Sequence, residues 1–302
     1  MSSPIGSVAV LGTGVIGSAV ARNLAAAGLE TSAWNRTSER ARPLADDGVR
    51  VVEDIAEAVG GVDAVLTALS DGDAVEDVMA GAGGGLRSSK PGAVWIQTST
   101  VGSGATERLA ELAEDAEVHF VDAPVLGTKG PAEQGELIIL ASGPAAAVER
   151  CAPVFDVIGA RTVDLGEEPG EGSRMKLVLN SWLLALTAGL AETINLAAAL
   201  DVDPEEFLSI IEGGPLDVPY AHLKGAMMIS RAYEPSFSLA NAAKDARLVC
   251  EAAEGEDLEL TLAAAVRDLF AEAVELGHAE ADMAAVHEVG SSEADERPAA
   301  AP

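Results

Sequence analysis

A chain of 302 residues, 48% of them hydrophobic, is long enough for two domains and a substantial apolar core, which excludes a disorder-dominated protein. With 49 acidic against 19 basic residues the formal net charge is -30, and this argues against DNA, RNA or an anionic membrane surface as a partner, since each would be approached against the protein's own field. Cys151 and Cys250 lie far apart, with no CxxC and no His at metal-ligand spacing, so neither a disulfide framework nor a metal site is expected.

Aromatic residues make up only 3% and Ala and Gly are abundant, which predicts a core of Ala, Leu and Val with close helix packing. The acidity fits a salt-rich cytoplasm or a GC-rich genome that replaces Lys by Arg. The segment MSSPIGSVAVLG has no basic n-region, and no apolar run reads as long enough to cross a bilayer, so a soluble, cytoplasmic protein is expected.

Residues 7–11, SVAVL, form a short apolar run that passes straight into GTGVIG, followed by a helical pattern from Ile16 to Ala27 and a terminating Gly28. Strand, glycine turn and helix in that order form a dinucleotide cradle. Gly12 turns the chain, Gly14 lets a pyrophosphate approach the backbone, and Gly17 packs helix on strand. The anion then sits on the helix N-terminus, against Val15 and Ile16.

The second strand, Glu30 to Trp34, ends in Asn35, Arg36 and Thr37, with Arg40 one turn on. An acidic residue here would accept from the ribose 2′-OH of NAD, whereas an Arg accommodates a 2′-phosphate, so NADP(H) is the expected cofactor. From Val49 the pattern repeats through VRVVED, VDAVLTAL and GAVWIQTST, each followed by a helix, the last from Gly102 to Glu114. Alternating short apolar strands and helices indicate a parallel, doubly wound sheet, an α/β Rossmann arrangement. Ligands bind at the carboxyl ends of such strands, so Leu69, Ser70 and Asp71, and then Thr98, Ser99 and Thr100, are expected to face the cofactor. Capping is the competing role for each Ser and Thr.

In residues 118–144 a strand ends at Asp122, and Pro124 is expected to stop ladder pairing. Leu126, Gly127, Thr128, Lys129 and Gly130 then read as a loop whose N–H groups converge on an anion, before a strand from Leu137 to Ala141. The Gly-, Pro- and Glu-rich stretch after Val154 marks a domain boundary. Beyond it a long apolar helix from Ser173 to Leu200 links the domains, followed by helices from Asp203-Pro204 and over 219–230, 239–254, 259–276 and 280–288. The domains expected are a Rossmann cofactor domain over 1–168, an all-α domain over 169–289 that includes the inter-domain helix, and a disordered tail over 290–302.

Within GSRMKLVLNSW, the i,i+4 spacing puts Lys176 and Asn180 on one face of a helix, among Met175, Leu177, Val178 and Leu179. The chain has five lysines. Lys129, Lys176, Lys224 and Lys244 fall in segments singled out by pattern, and Lys90 does not. A lysine held in apolar surroundings is a candidate proton donor, and Lys176 is that candidate; for Lys224 a snorkelling ammonium is the plainer reading. His119, His222, His278 and His287 show no relation to this cluster.

GTGVIGSAVARNLAAAG, DAPVLGTKGPAEQGEL, GSRMKLVLNSW and PSFSLANAAKDARLV, in this order over residues 7–288, resemble the β-hydroxyacid dehydrogenase (3-hydroxyisobutyrate dehydrogenase-like) family. NRT, TKGPAEQG, HLKGAMMI and KDARLV are most similar to its glyoxylate and succinic semialdehyde reductase branch. The resemblance implies NADPH-dependent reduction of a small aldehyde or keto acid, with Lys176 as proton donor and Asn180 as its hydrogen-bond partner. It further implies that Ser99, Thr100, Leu126, Gly127 and Thr128 hold the substrate carboxylate, that Phe237 and Asp245 contact the substrate and that Lys244 reaches the cofactor. A homodimer or homotetramer is implied as well.

Two departures stand out: Leu126 replaces the Ser usual in the substrate loop, and Leu179 replaces an Asn found in other branches. The alternative readings are imine reduction, since imine reductases share this architecture but commonly carry Asp or Tyr in place of Lys176, and oxidation of a 3-hydroxy acid. A non-catalytic cofactor-binding scaffold is known among members that have lost the lysine, and Lys176 is present here.

Overall fold

The protein was analysed as a computed structural model that describes residues 4–291. Residues 292–302, most of the expected tail, lie outside the described residues. The chain divides into two compact units, one up to Leu177 and one from Val178 onward.

In the first unit, strands β1 (Ser7–Leu11), β2 (Glu30–Trp34), β3 (Arg50–Val51), β4 (Ala64–Thr67), β5 (Val94–Gln97) and β6 (His119–Asp122) form one sheet in the order β3-β2-β1-β4-β5-β6. Every pairing in it is parallel. Both faces are buried, as a parallel sheet requires. Val8, Val10, Ala64, Leu66, Val94, Ile96 and Val121 pack on one side with Val20 and Leu24 of the Val15–Ala26 helix. Ala9, Leu11, Val65, Trp95 and Phe120 alternate to the other side, against Met79 and Leu109. Trp95 and Phe120 meet edge to face at 5.1 Å. Chain order reverses between β1 and β4, so the crevice of this doubly wound sheet opens at their carboxyl ends.

A second, three-stranded sheet holds β7 (Val125–Leu126), β8 (Leu137–Ala141) and β9 (Gly159–Asp164). Here the structure corrects the sequence reading. Pro124 does not end pairing: it lacks only a donor, its carbonyl accepts from Leu140 N at 2.9 Å, and β7 continues antiparallel to β8 with Leu126 opposite Ile138. Lys129–Gln134 is a short helix, which leaves only Gly127 and Thr128 as a turn where a five-residue loop is expected. β9 was hidden in the boundary stretch because its residues are largely exposed and polar and carry no alternating pattern.

The helix Glu171–Ala199 runs for 29 residues. By length and composition alone it could cross a membrane, contrary to the expectation that no run is long enough, yet 44% of its most apolar window is buried inside the protein. In the second unit Leu184, Ala188, Ala191 and Ile194 recur at helical spacing and pack with Leu208, Met228, Ala242, Ala246 and Phe270. These last residues come from the helices Pro204–Ile211, Pro219–Ser230, Leu239–Gly255 and Thr261–Ala273. Asp203 caps the first of these through Glu205 N at 2.9 Å, with Pro204 at its first position. Met283–Val289 is a 3-10 segment where an α-helix was expected.

Lys90, the lysine outside every motif, has a structural task. Its ammonium stands 2.6 Å from Asp63, whose other oxygen accepts from Gly6 N, Ser7 N and the Ser7 hydroxyl, so the pair ties the starts of β1 and β4 together. Partial burial works against the charge of Asp63, but Lys90 and these donors outweigh it and hold the carboxyl at about 2. A folded pKa below the unfolded value gives stability that is present above about pH 4 and lost as pH falls toward 2. Acid titration of unfolding should therefore show the wild type losing about 1 kcal/mol more than Asp63→Asn between pH 4 and 2, the figure being reduced because water reaches both side chains.

Candidate functional site

β1 delivers the chain into Gly12 at φ +102, a left-handed conformation, and a Cβ there would lie 2.3 Å from the Ala68 carbonyl oxygen. A Cβ on Gly17 would lie 1.9 Å from the Gly12 carbonyl oxygen, so this glycine lets the Val15–Ala26 helix sit directly on the turn. Gly14 is the opposite case: an added Cβ would meet nothing within 4 Å. It is the N-cap, no side chain caps the helix, and the first-turn N–H groups of Val15, Ile16 and Gly17 are left for an anion. An open cradle above Gly14 and an uncapped helix end fit a dinucleotide pyrophosphate.

Asn35 braces this cradle. Its Oδ1 accepts from Thr13 N at 3.0 Å and its Nδ2 donates to the Thr37 carbonyl at 2.9 Å, which links the glycine turn to the end of β2. Arg36 is exposed beside it, as is Arg40. No acidic residue stands at 35–37.

At the ends of β4 and β5 the hydroxyls are largely consumed by the fold. Ser99 is buried; its Oγ accepts from Leu69 N at 2.8 Å, and its own N–H donates to Gln97 Oε1 at 2.9 Å. Thr98 donates to the Thr67 carbonyl at 2.7 Å. Ser70 is exposed and donates to Asp71, which caps the Gly72–Ala80 helix through Ala74 N. Thr100 is half-buried. Gly127 has φ +135, and a Cβ there would lie 2.8 Å from Leu137, so the turn beside Leu126 and Thr128 demands glycine.

Lys176 lies in the second turn of the Glu171–Ala199 helix and is 9% exposed. The start of that helix is fixed by Asp122 at the end of β6, whose carboxylate accepts from Ser173 N at 2.7 Å, Ser173 Oγ at 2.8 Å and Gly170 N at 3.1 Å. Sequence reasoning missed Asp122 as a functional candidate. The signal was an aspartate ending an otherwise apolar strand.

The second unit brings Asn180, Lys244 and Asp245 together. Asn180, 1% exposed, donates through Nδ2 to Asp245 Oδ2 at 2.7 Å, and the Lys244 ammonium stands 2.9 Å from Asp245 Oδ1. Asn180 Oδ1 is buried and accepts no hydrogen bond among the described residues. Lys224 does not snorkel: it is fully buried and paired with Asp282, with Ser236 Oγ at 3.2 Å. Asp282 also accepts from Ser236 N at 2.9 Å, Phe237 N at 3.3 Å and Ala284 N at 3.0 Å, so this pair fixes the turn that carries Phe237. An apolar cavity between Leu184, Ala185, Val249 and Leu262 includes none of the expected site residues. No cluster of metal-ligating side chains occurs among the described residues.

Because the Gly17 position is closed by backbone rather than by a movable side chain, Gly17→Ala should abolish binding of NADPH and NADH alike in a fluorescence titration of the folded variant.

Comparison with known proteins agrees with this geometry. Residues 7–166 match the family model described as the NAD binding domain of 6-phosphogluconate dehydrogenase, and residues 170–289 the one described as NAD-binding of NADP-dependent 3-hydroxyisobutyrate dehydrogenase. The chain is 34% identical to glyoxylate/succinic semialdehyde reductase 1 of Arabidopsis thaliana, over 93% of this chain and 97% of that one. It is 33% identical to the chloroplastic glyoxylate/succinic semialdehyde reductase 2 of the same plant, over 93% and 78%. Among solved structures, a 3-hydroxyisobutyrate dehydrogenase from Salmonella typhimurium superposes with a TM-score of 0.87 at 25% identity, covering 94% of this chain and 99% of that one. An imine reductase from Myxococcus stipitatus shares the fold at a TM-score of 0.62 and 21% identity, covering 95% and 99%. With an open pyrophosphate cradle and a buried lysine on the helix that follows the sheet, the chain belongs to the 3-hydroxyisobutyrate dehydrogenase-like family of NAD(P)-dependent oxidoreductases that act on the CH–OH group of hydroxy acids.

Proposed function

We propose that the protein is an NADPH-dependent reductase of a small aldehyde or keto acid, of the glyoxylate or succinic semialdehyde type, with Lys176 as proton donor. The observation that carries this reading is the lysine itself: an ammonium held almost out of water, on a helix whose first turn is fixed to the cofactor-binding sheet. The likeness to two glyoxylate/succinic semialdehyde reductases supports the substrate class.

Gly12, Gly14 and Gly17 would hold the cofactor's pyrophosphate, and the bound cofactor would supply the hydride for the carbonyl carbon of the substrate. Negative charge then develops on the carbonyl oxygen. The Lys176 ammonium stabilises that charge and gives up its proton to the oxygen, general acid catalysis of roughly 10²- to 10⁴-fold. Asn180, with its Nδ2 held by Asp245, keeps Oδ1 available as an acceptor for an ammonium, in keeping with a supporting role. Thr100, Leu126, Gly127, Thr128 and Phe237 are assigned to the substrate. Leu126, where relatives use a hydroxyl, favours one with an apolar edge. Ser99, its hydroxyl engaged with the backbone, would act by shaping the strand end.

The 2′-phosphate preference rests on Arg36. An exposed guanidinium beside the braced Asn35, with no carboxylate at 35–37, suits a phosphate better than a ribose hydroxyl. We place the protein in the cytoplasm as a homodimer. Val178 and Trp182, one helical turn apart and each 66% exposed, give an apolar face for a second copy to cover.

The direct assay is NADPH oxidation against glyoxylate, succinic semialdehyde, tartronate semialdehyde and a cyclic imine side by side, with 3-hydroxyisobutyrate oxidation as the reverse arm; activity confined to the imine would overturn the reading. Lys176→Ala should keep NADPH binding and lose kcat by about 10²-fold or more, and near-normal turnover would remove the lysine from its role. Arg36→Ala should weaken NADPH by about tenfold or more while leaving NADH almost unchanged, whereas equal losses on both would end the 2′-phosphate argument.

A further inference from the structure

We propose that Asp122 is the positioning residue of the catalytic lysine: by holding the first turn of the Glu171–Ala199 helix in one rotation, it sets the direction in which Lys176 points. The inference rests on the reading of Lys176 as proton donor.

Asp122 ends β6, the edge strand that pairs with β5, and is fully buried. No lysine or arginine pairs with it in the contacts described; its charge is met by the N–H groups of Gly170 and Ser173 and by the Ser173 hydroxyl. The main chain that carries the carboxylate is held as well, because Asp122 and Ser142 exchange backbone hydrogen bonds of 3.0 and 2.8 Å as an isolated antiparallel bridge, and Ser142 Oγ stands 3.5 Å from the carboxylate. From the other side of that bridge Ser142 Oγ accepts from Gly172 N at 3.0 Å. Ser173 Oγ lies 3.0 Å from Thr106 Oγ1, which donates to the Gly102 carbonyl at 2.9 Å. Three elements of the sheet unit, the Ser103–Asp115 helix, β6 and the end of β8, thus hold Gly170, Gly172 and Ser173.

Gly172 shows how close the approach is. A Cβ there would lie 2.3 Å from the Leu140 carbonyl oxygen and 3.0 Å from that of Asp122, so the helix start presses directly onto the strand ends. Lys176 follows Ser173 by three residues and Gly172 by four, which puts it on the clamped face, one turn up. Successive residues are about 100° apart around a helix, so a modest rotation about its axis swings the ammonium away from a fixed carbonyl oxygen. A misplacement of about 1 Å can cost about 10²-fold in rate.

Ionising the clamp carries a cost in stability. Burial pushes the Asp122 carboxyl up to about 6, and the Ser173 and Gly170 donors recover only part of that penalty. A folded pKa above the unfolded value means that ionising Asp122 costs stability as pH rises from about 4 through 6.

The test compares Asp122→Ala, Asp122→Asn and Lys176→Ala, with kcat expressed per NADPH-binding site and assayed below the unfolding midpoint of each variant. Asp122→Ala should lower kcat by about tenfold or more, with KM for substrate and affinity for NADPH each within about threefold, and should raise the deuterium isotope effect from reduced cofactor labelled at the transferred hydride. Asp122→Asn offers an acceptor to both N–H groups and a donor to Ser173 Oγ, and should restore most of the kcat. If Asp122→Ala does not fold, Ser173→Ala, which loses one side-chain bond of the clamp, should show the same split more weakly. An unchanged kcat per site in Asp122→Ala, or in Ser173→Ala where it takes that place, overturns the proposal. So does an Asp122→Asn that fails to recover. Near-normal turnover in Lys176→Ala would instead overturn the reading on which the inference rests.

Discussion

An apolar helix that carries polar side chains has to satisfy them out of water, and the Glu171–Ala199 helix meets that constraint at each end of its polar segment. At its start, Ser173 and the neighbouring N–H groups answer to Asp122. Two turns on, Asn180 answers to Asp245. Neither bond is an accessory to packing, because a buried donor without an acceptor costs about 1–3 kcal/mol, several times what a surface hydrogen bond contributes. The helix therefore has its rotation specified within each unit by a buried aspartate. Lys176 lies between those two specified points. An ammonium on a helix packed by Leu and Ala alone would have no such reference, since apolar contacts tolerate small rotations that hydrogen bonds do not.

What could be read from the sequence follows the same division between pattern and pairing. The strand–glycine–helix order at residues 7–17 and the repeating apolar strands were legible, because a parallel sheet buried on both faces leaves continuous apolar runs. Helix starts at Asp203 and Ser238 were legible or nearly so through local capping chemistry. β9 and the short strand after Pro124 were not. The first is too exposed to show a period, and the second is only two residues long beside a proline that reads as a stop. At the site, Gly12, Gly14, Gly17 and Lys176 were visible as residue types at a spacing. The long-range bonds that give Asn35, Ser99 and Asp122 their tasks join residues 22, 30 and 51 positions apart, and no local pattern records such a bond.

Ser99 and Asn35 also show how a residue at an expected site can carry a structural task. Both lie where ligand-binding side chains are expected, and both spend their polar atoms on backbone. These bonds tie the strand ends and the glycine turn together. Such a turn suits a cofactor held chiefly by its pyrophosphate, since backbone N–H groups at a helix end offer donors that need no side-chain ordering.

The scarcity of lysine acquires a sharper meaning once the pairs are known. Lys90, Lys224 and Lys244 each meet an aspartate, so lysine is not reserved for the chemical step. Lys224 meets a demand that arginine cannot. Around Lys224 the ammonium faces Asp282, Ser236 Oγ and Met227 Sδ, with the Tyr220 ring 5.3 Å away, in a space closed to water. A compact ammonium can direct three donors to such a set, whereas a planar guanidinium presents five in one plane and needs more room. For Lys176 as the proposed proton donor the demand is chemical: a guanidinium holds its proton at any accessible pH and could stabilise the developing oxyanion but not protonate it. Lysine is thus favoured over arginine at two kinds of place, where the cation must be small and where it must let a proton go. Lys224 marks the first, and Lys176 is assigned to the second.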